Sequence, residues 1–233
     1  MTKGRYLDAL GVEQWTMRKA INSATVAAAP TAAPIAAKAT AATGGDSWER
    51  VEAEVSPCTR CELHKGRTRT VFGVGSRSAR WLIVGEAPGA EEDRQGEPFV
   101  GRAGGLLNSM LLGIGLRREE VFIANILKCR PPNNRDPAPA EVACCLPYLE
   151  RQIALLQPRI MLAVGRIAAQ NLLATDTPIG KLRGQLHRFG ASGTPLVVTY
   201  HPAYLLRSPT EKRKAWEDLK FARRVFREQV EAR

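Results

Sequence analysis

Four short, almost wholly apolar runs recur between residues 81 and 199, and segments with helical periodicity separate them. Each run is four to six residues long and is rich in β-branched or aromatic side chains. Such runs are typical of strands that are buried on both faces of a sheet. The predicted strands cover residues 81–84, 121–126, 160–165 and 196–199.

The segments between these runs repeat apolar residues every three or four positions, as in Leu107, Leu111 and Ile114. An alternation of strands and helices predicts a parallel sheet covered on both faces. We therefore predict a three-layer α/β/α fold around a central, mostly parallel four-stranded sheet. The predicted helices cover residues 104–116, 139–156 and 166–173, with a closing basic helix over 211–233.

Glycine-rich or polar residues follow each predicted strand: the turn 85–89, then Asn125, Gly165 and His201. In parallel sheets, ligands bind outside the carboxyl ends of the strands, so these residues mark the candidate site. The 85–89 turn, Gly-Glu-Ala-Pro-Gly, lacks the Lys-Ser/Thr pair of a phosphate loop and the spacing of a dinucleotide site. We interpret it as a tight turn that presents a carboxylate.

Composition divides the chain into three parts. Residues 24–46 consist largely of Ala, Thr, Pro and Gly, which predicts a disordered linker. It separates a short interaction peptide, 1–23, from a folded domain, 47–233. Proline and lysine interrupt the alanine-rich stretch, so we predict no membrane span and a cytoplasmic protein.

The chain is basic, with 34 Lys and Arg against 23 Asp and Glu and a net charge of +11. This excess favours a polyanionic partner, and nucleic acid is the natural one, over a merely solvated basic surface. Lys181, Arg183 and Arg188 form one of its basic groups.

The cysteines are spaced like metal ligands. Cys58 and Cys61 form a CxxC pair, Cys129 lies far along the chain, and Cys144 and Cys145 are adjacent. A CxxC pair binds one metal ion or cluster, and two thiolates from a distant segment complete fourfold coordination. The spacing does not separate zinc from an iron–sulfur cluster, because both accept four thiolates.

Three segments, 85–108, 125–135 and 201–207, resemble the motifs of family 4 uracil-DNA glycosylases, the iron–sulfur branch of that superfamily. With the cysteine spacing, the resemblance extends from Cys58 to the final helix. It implies a uracil-DNA glycosylase-like fold and a monofunctional enzyme of base excision repair. Such an enzyme hydrolyses the N-glycosidic bond of deoxyuridine in DNA and leaves an abasic site. Its partner is DNA containing uracil, single- or double-stranded.

The resemblance also implies a 4Fe-4S cluster, with Cys145 favoured over Cys144 as the fourth ligand. One departure from the family pattern is Gly105, where relatives usually carry Gln. It affects at most a local substrate contact. The implied cluster ligands are Cys58, Cys61, Cys129 and Cys145.

Hydrolysis of this bond requires an enzyme to flip the nucleotide out of the stack and hold the base by one edge and one face. Phe99 is predicted to stack on uracil, and the Asn125 amide to pair with its edge. The turn at Ala87 is expected to contact the substrate. By family resemblance, Glu92 stands beside C5 of uracil, where it excludes the methyl group of thymine.

The remaining predicted catalytic residues, beside Asn125, are His201 and Glu86. His201 is expected to donate a hydrogen bond to uracil O2 and to stabilise the departing anion, although an isolated His is more often a cap or a core residue. Glu86 is expected to orient water or to favour the cationic sugar. Leu205 and Leu206 are expected to wedge into the DNA. The other predicted DNA contacts are Arg207, Lys181, Arg183 and Asn134.

Residues 5–18 carry the pattern Leu-Gly-x-x-x-Trp-x-x-Arg. It resembles the N-terminal peptide of the psi subunit of the bacterial polymerase III clamp loader, which binds the chi subunit. The resemblance implies that this peptide recruits the chain, expected to be a monomer, to chi. The alternative function is that of a non-catalytic nucleic-acid-binding protein with an iron–sulfur cluster or zinc.

Overall fold

The computed structural model describes residues 45–231, and their centre is a six-stranded sheet. The four inner strands are parallel, and an antiparallel strand closes each edge. The predicted α/β/α architecture is confirmed, but the described residues contain six strands rather than four. The strands are β1 (Val74–Gly75), β2 (Trp81–Gly85), β3 (Phe122–Asn125), β4 (Ile160–Val164), β5 (Leu186–Phe189) and β6 (Thr194–Thr199), in the spatial order β1-β3-β2-β4-β6-β5.

The two missed strands lie at the edges of the sheet, where one side of a strand faces solvent. β1 is only two residues long, and β5 carries the exposed Arg188 and three half-buried residues. Neither strand has the continuous apolar run that identifies a central strand. All residues of β2, β3 and β4 are buried, and these strands were predicted correctly.

Successive residues of the central strands enter two different hydrophobic cores, one on each face of the sheet. Leu82 and Val84 pack into the first core, whereas Ile83 packs into the second. Helices α1, α4 and α5 contribute to the first core, and α3 and α8 contribute to the second. The helices are α1 (Trp48–Val55), α2 (Ala90–Gln95), α3 (Arg102–Gly113), α4 (Pro139–Leu156), α5 (Arg166–Leu173), α6 (Ile179–Leu182), α7 (Pro202–Arg207) and α8 (Lys212–Phe226).

Two of the four predicted helices, α4 and α5, have the predicted bounds. The helix predicted over 104–116 begins two residues earlier and ends at Gly113, and the closing helix ends at Phe226, followed by a π-helical turn, Arg227–Glu231. Short 3₁₀ turns cover Glu62–Lys65, Arg118–Glu120, Pro132–Asn134 and Pro209–Glu211.

The predicted interaction peptide, the chi-binding segment within it and most of the predicted linker lie outside the described residues. Asp46, the last residue of the predicted linker, forms an ion pair with Arg151 of α4 at 2.7 Å. No helix among residues 45–231 is long and apolar enough to cross a membrane.

Candidate active site

The ends of β2 and β3 bring Gly85 and Asn125 side by side, since these two residues are paired in the parallel register. Asn125 is 2 % exposed, and its side-chain Oδ1 has no hydrogen-bond partner among the described residues. A Cβ atom on Gly85 would lie 2.4 Å from this oxygen and 2.6 Å from Cζ of Phe99. Glycine is therefore required at this position, and it lets an aromatic face and a free acceptor converge.

Phe99 has a left-handed backbone, with φ of 55°, and its ring is nearly buried. Such a conformation costs roughly 1–3 kcal/mol in a non-glycine residue and persists only where its surroundings hold it. A Cβ atom on Gly104 would lie 1.8 Å from the Phe99 carbonyl oxygen, so the start of α3 packs directly against this backbone. Arg118 donates hydrogen bonds to the carbonyl oxygens of Pro98 and Phe99.

Glu92 holds the other side of the same loop. Its Oε1 accepts hydrogen bonds from the backbone N–H groups of Val100 and Gly101, both at 3.0 Å. The predicted placement of Glu92 beside C5 of uracil stays a prediction, because the contacts observed for its carboxylate are with this loop. The sequence analysis missed Gly104 and Arg118, since only the fold brings them to Phe99.

His201 faces Phe99 from the end of β6, with the ring centroids 5.5 Å apart and the planes 31° from parallel. Its Nδ1 accepts a hydrogen bond from the backbone N–H of Ala203 at 3.1 Å. In a neutral ring this bond leaves the proton on Nε2, which then serves as a donor. A Cβ atom on Gly165 would lie 3.0 Å from Cβ of His201, so glycine permits this close approach.

Burial is the main reason that the pKa of His201 is lowered to about 4. The positive charge of Arg207 also lowers it, and the negative charge of Glu92 opposes this with a smaller effect. The imidazole is consequently neutral at physiological pH. The capping role considered for this residue is present, because His201 is the N-cap of α7. The cap and the donor role are compatible, since they use different ring nitrogens.

Glu86, in the turn after β2, is the second titratable group of the site. Burial raises its pKa from the ordinary 4.5 to about 7. The charge of Asp136 raises it further, whereas that of Arg166 lowers it. Asp136 and Arg166 pair with each other at 2.5 Å, and the sequence analysis identified neither. Ala87, next to Glu86, is partly buried and packs against the first core.

Two residues predicted to contact DNA make contacts within the protein. Leu205 is 1 % exposed and belongs to the second core, because α7 turns that side toward α3. The guanidinium of Arg183 forms an ion pair with the buried Asp218 at 2.7 Å and donates to the Lys214 carbonyl oxygen. Leu205 is buried and the Arg183 side chain is only partly exposed, so these contacts do not support their predicted roles in DNA binding, which stay predictions. Leu206, Arg207, Lys181 and Asn134 are exposed.

One cavity is lined by the four predicted ligands, Cys58, Cys61, Cys129 and Cys145. Its other lining residues come from segments 55–67 and 127–128 and from α4. Cys129 and Cys145 are buried, and a hydrogen bond joins Arg67 to the Cys129 sulfur at 3.2 Å. Cys144 also borders this cavity, but its thiol donates to the Arg60 carbonyl oxygen. Cys145 is the more deeply buried of the adjacent pair.

Three thiols in this cavity, those of Cys61, Cys129 and Cys145, lie where ionisation is disfavoured. Burial raises the pKa values of Cys61 and Cys129 and raises that of Cys145 to about 11. Arg67 lowers the pKa of Cys129 and Lys128 lowers that of Cys145 in part, while repulsion between neighbouring thiolates makes a smaller contribution that raises the pKa values. No three His, Cys, Asp or Glu side chains within residues 45–231 are close enough to hold one metal ion. Cysteine side chains that line one cavity are donors that both an iron–sulfur cluster and a zinc ion accept.

Comparison with known proteins agrees with this geometry. The family model of the uracil DNA glycosylase superfamily matches residues 72–220. A type-4 uracil-DNA glycosylase of Archaeoglobus fulgidus is 45 % identical over 181 residues, which are 75 % of this chain and 91 % of that protein. Type-4 enzymes of Sulfurisphaera tokodaii and Thermotoga maritima are 42 % and 41 % identical, and the alignments cover 77 % and 78 % of this chain and 85 % and 95 % of those proteins. The chain thus belongs to the type-4 branch of the uracil-DNA glycosylase superfamily.

Proposed function

We propose that this protein removes uracil from DNA by hydrolysing the N-glycosidic bond of deoxyuridine, which leaves an abasic site for base excision repair. The identity of 41–45 % with type-4 uracil-DNA glycosylases over most of the chain supports an enzyme. The observation that carries the proposal is the buried, unpartnered Oδ1 of Asn125 beside the Phe99 ring. A buried acceptor without a partner is costly unless a ligand satisfies it.

Uracil recognition is proposed to use both groups. The Asn125 Oδ1 accepts the N3 proton of uracil, while its NH₂ group donates to O4. Cytosine presents the reverse pattern at this edge and is rejected, because donors would meet donors. Phe99 stacks on the ring face, and Ala87 lies in the turn against the base. Glu92 is proposed to stand near C5, where the methyl group of thymine would collide with it.

Bond cleavage is proposed to depend on His201 and Glu86. As the bond breaks, uracil leaves as an anion and the sugar gains positive charge. The Nε2–H of the neutral His201 donates to uracil O2 and stabilises the anion. Glu86, ionised above about pH 7, orients the attacking water beside the cationic sugar.

The cysteine cavity is proposed to hold a 4Fe-4S cluster through Cys58, Cys61, Cys129 and Cys145. When bound, the cluster joins two distant segments of the chain and supplies the positive iron centres that stabilise thiolates. The purified protein is expected to contain iron and acid-labile sulfide, and zinc in their place would contradict this assignment.

DNA binding is proposed to involve four exposed residues, Leu206, Arg207, Lys181 and Asn134. Leu206 is the wedge that occupies the space of the flipped nucleotide. Arg207, Lys181 and Asn134 contact the sugar–phosphate backbone, so affinity should fall as salt concentration rises.

The decisive experiment incubates the full-length protein with a labelled oligonucleotide that contains one uracil, beside its thymine twin, in single- and double-stranded form. Alkali then cleaves any abasic site. Strand breaks only at uracil would support the glycosylase. Protein that carries its cluster and binds DNA yet breaks neither strand would instead support the non-catalytic alternative.

We further propose that residues 5–18 bind the chi subunit of the polymerase III clamp loader and that the enzyme acts as a cytoplasmic monomer. A tethered peptide would raise the local concentration of the enzyme at replication forks. Capture of chi by the full chain should be lost when residues 1–23 are deleted. Unchanged capture would exclude this peptide as the chi-binding segment.

A further inference from the structure

Lys128 is a buried lysine with an unusual set of partners. It is 1 % exposed, and its ammonium donates to the Asn125 carbonyl oxygen at 3.0 Å and to Gln152 Oε1 at 2.6 Å. None of the ion pairs found among residues 45–231 includes Lys128. Both hydrogen-bond acceptors are neutral oxygens, so a nearby negative charge would stabilise the buried ammonium.

Gln152 is held in one orientation by its second contact. Its Nε2 donates to the Phe72 carbonyl oxygen at 3.0 Å, and this bond turns Oε1 toward the ammonium of Lys128. Gln152 is fully buried. The ammonium is therefore fixed between a rigid amide on α4 and the backbone of the predicted uracil-binding residue, Asn125.

The backbone of Lys128 touches the cysteine cavity. Its N–H donates to the Cys145 sulfur at 3.1 Å, and Cys129 is the next residue in the chain. Cys145 and Gln152 are seven residues apart on α4, which places them two turns apart on one face of the helix. Lys128 thus contacts both a predicted cluster ligand and the Asn125 backbone, and α4 carries two of its partners, Cys145 and Gln152.

We propose that Lys128 is a positioning residue that couples the cysteine site to uracil recognition. The negative charge of a thiolate-bound cluster compensates the buried ammonium, and the ammonium in turn holds the Asn125 carbonyl so that the side chain faces the base. The cluster would then do more than join two segments of the chain, because it would also help to keep Asn125 in place. This inference rests on the proposed uracil excision.

The test is a double-mutant cycle in the full-length protein, with Lys128→Met and Asn125→Ala. Lys128→Met should lower the single-turnover rate of uracil excision roughly 10- to 100-fold, the usual effect of losing a residue that orients a site. In the Asn125→Ala background the same change should cost less than about threefold, since the group that Lys128 positions is already absent. Lys220→Met, the same change on the exposed face of α8, should alter neither rate.

Two further readouts separate coupling from a general loss of structure. Iron content and affinity for uracil-free DNA should stay unchanged in Lys128→Met, while the reduction potential of the cluster should become more negative because a nearby positive charge is lost. If Lys128→Met lowers the rate by the same factor in both backgrounds, or leaves the rate or the potential unchanged, the coupling is overturned.

A second variant covers the case in which Lys128→Met no longer binds iron. Gln152→Leu leaves the lysine and all thiols in place but removes the amide that orients the ammonium. It should slow excision several-fold with normal iron content, and again add little to Asn125→Ala. Full additivity would overturn the proposal. Inactive wild-type protein would instead refute uracil excision itself.

Discussion

The uracil pocket and the cysteine cavity lie on the same chain segment, three residues apart at Asn125 and Lys128, yet they are built in opposite ways. The pocket is already organised: a neutral His201 presents a donor, and Phe99 is held in a strained backbone conformation. The cavity disfavours free thiolates, because burial raises the pKa values of Cys129 and Cys145. The pocket suits a neutral base, whereas thiolates in the cavity would need a bound group such as the proposed cluster to stabilise them.

The pocket should keep its shape without a bound base, whereas the cavity should depend on its bound group. The pocket is empty between turnovers, after one base has been released and before the next nucleotide enters. The protein must therefore hold the shape of the pocket by itself. The proposed cluster would stay bound throughout, so part of the cost of assembling the cavity would be met by the bound group. Substitutions in the cavity should therefore affect folding, and substitutions in the pocket should affect catalysis.

The largest effect is expected from Cys129→Ser. Loss of a ligand should release the cluster and lower the free energy of unfolding by on the order of 4 kcal/mol, since metal-site losses are among the most damaging substitutions. Iron analysis and chemical denaturation measure both quantities. Cys144→Ser is the matched control and should retain iron. Iron loss in this control with retention in Cys145→Ser would reverse the ligand assignment.

His201→Leu should cost only about 1 kcal/mol of stability, through the lost cap of α7, but should reduce single-turnover excision about 10²- to 10³-fold, the usual result of removing one donor to a developing anion. Binding of uracil-free DNA should be unchanged. A smaller loss, below about tenfold, would mean that His201 serves only as the cap of α7.

Arg118→Met tests whether the loop around Phe99 is held by its carbonyl contacts. Removing the guanidinium should relax the left-handed backbone at Phe99 and slow excision about tenfold, a fraction of the 1–3 kcal/mol stored in such a conformation. Arg117→Met is the control, because Arg117 contacts only exposed acidic residues. Equal rates for the two variants would show that the loop is maintained without Arg118.

The smallest effect concerns pH. Excision should rise with pH and level off above about pH 7 as Glu86 ionises. Asp136→Asn removes the negative charge that raises the pKa of Glu86, so the acidic limb of the rate profile should move to lower pH. A profile that does not move would mean that another group controls this limb.

Glu86 also links activity to stability. Because its folded-state pKa lies above the ordinary 4.5, the folded protein holds this proton more tightly, and stability is lost as pH rises through the window from about 4.5 to 7. Glu86→Gln should thus raise the melting temperature at pH 8 but not at pH 4. The same variant should excise uracil poorly, which separates the two roles of the carboxylate.

The amino-acid sequence determined the parallel core of the sheet, the bounds of α4 and α5, and the convergence of the strand-end residues. It did so because buried strands and amphipathic helices leave repeating apolar patterns, and because parallel strands place their carboxyl ends at one edge. The resemblance of its motifs identified the family. The edge strands escaped prediction because they are short and partly polar.

Only the tertiary structure decided how side chains of similar type are used. Leu205 and Leu206 are adjacent, but one is in the core and the other is exposed. Arg183 is held by a buried aspartate, although its surroundings in the sequence are those of a DNA contact. Contacts between distant segments, such as Arg118 with Phe99 and Lys128 with Gln152, depend on packing across the fold, and no local pattern encodes them.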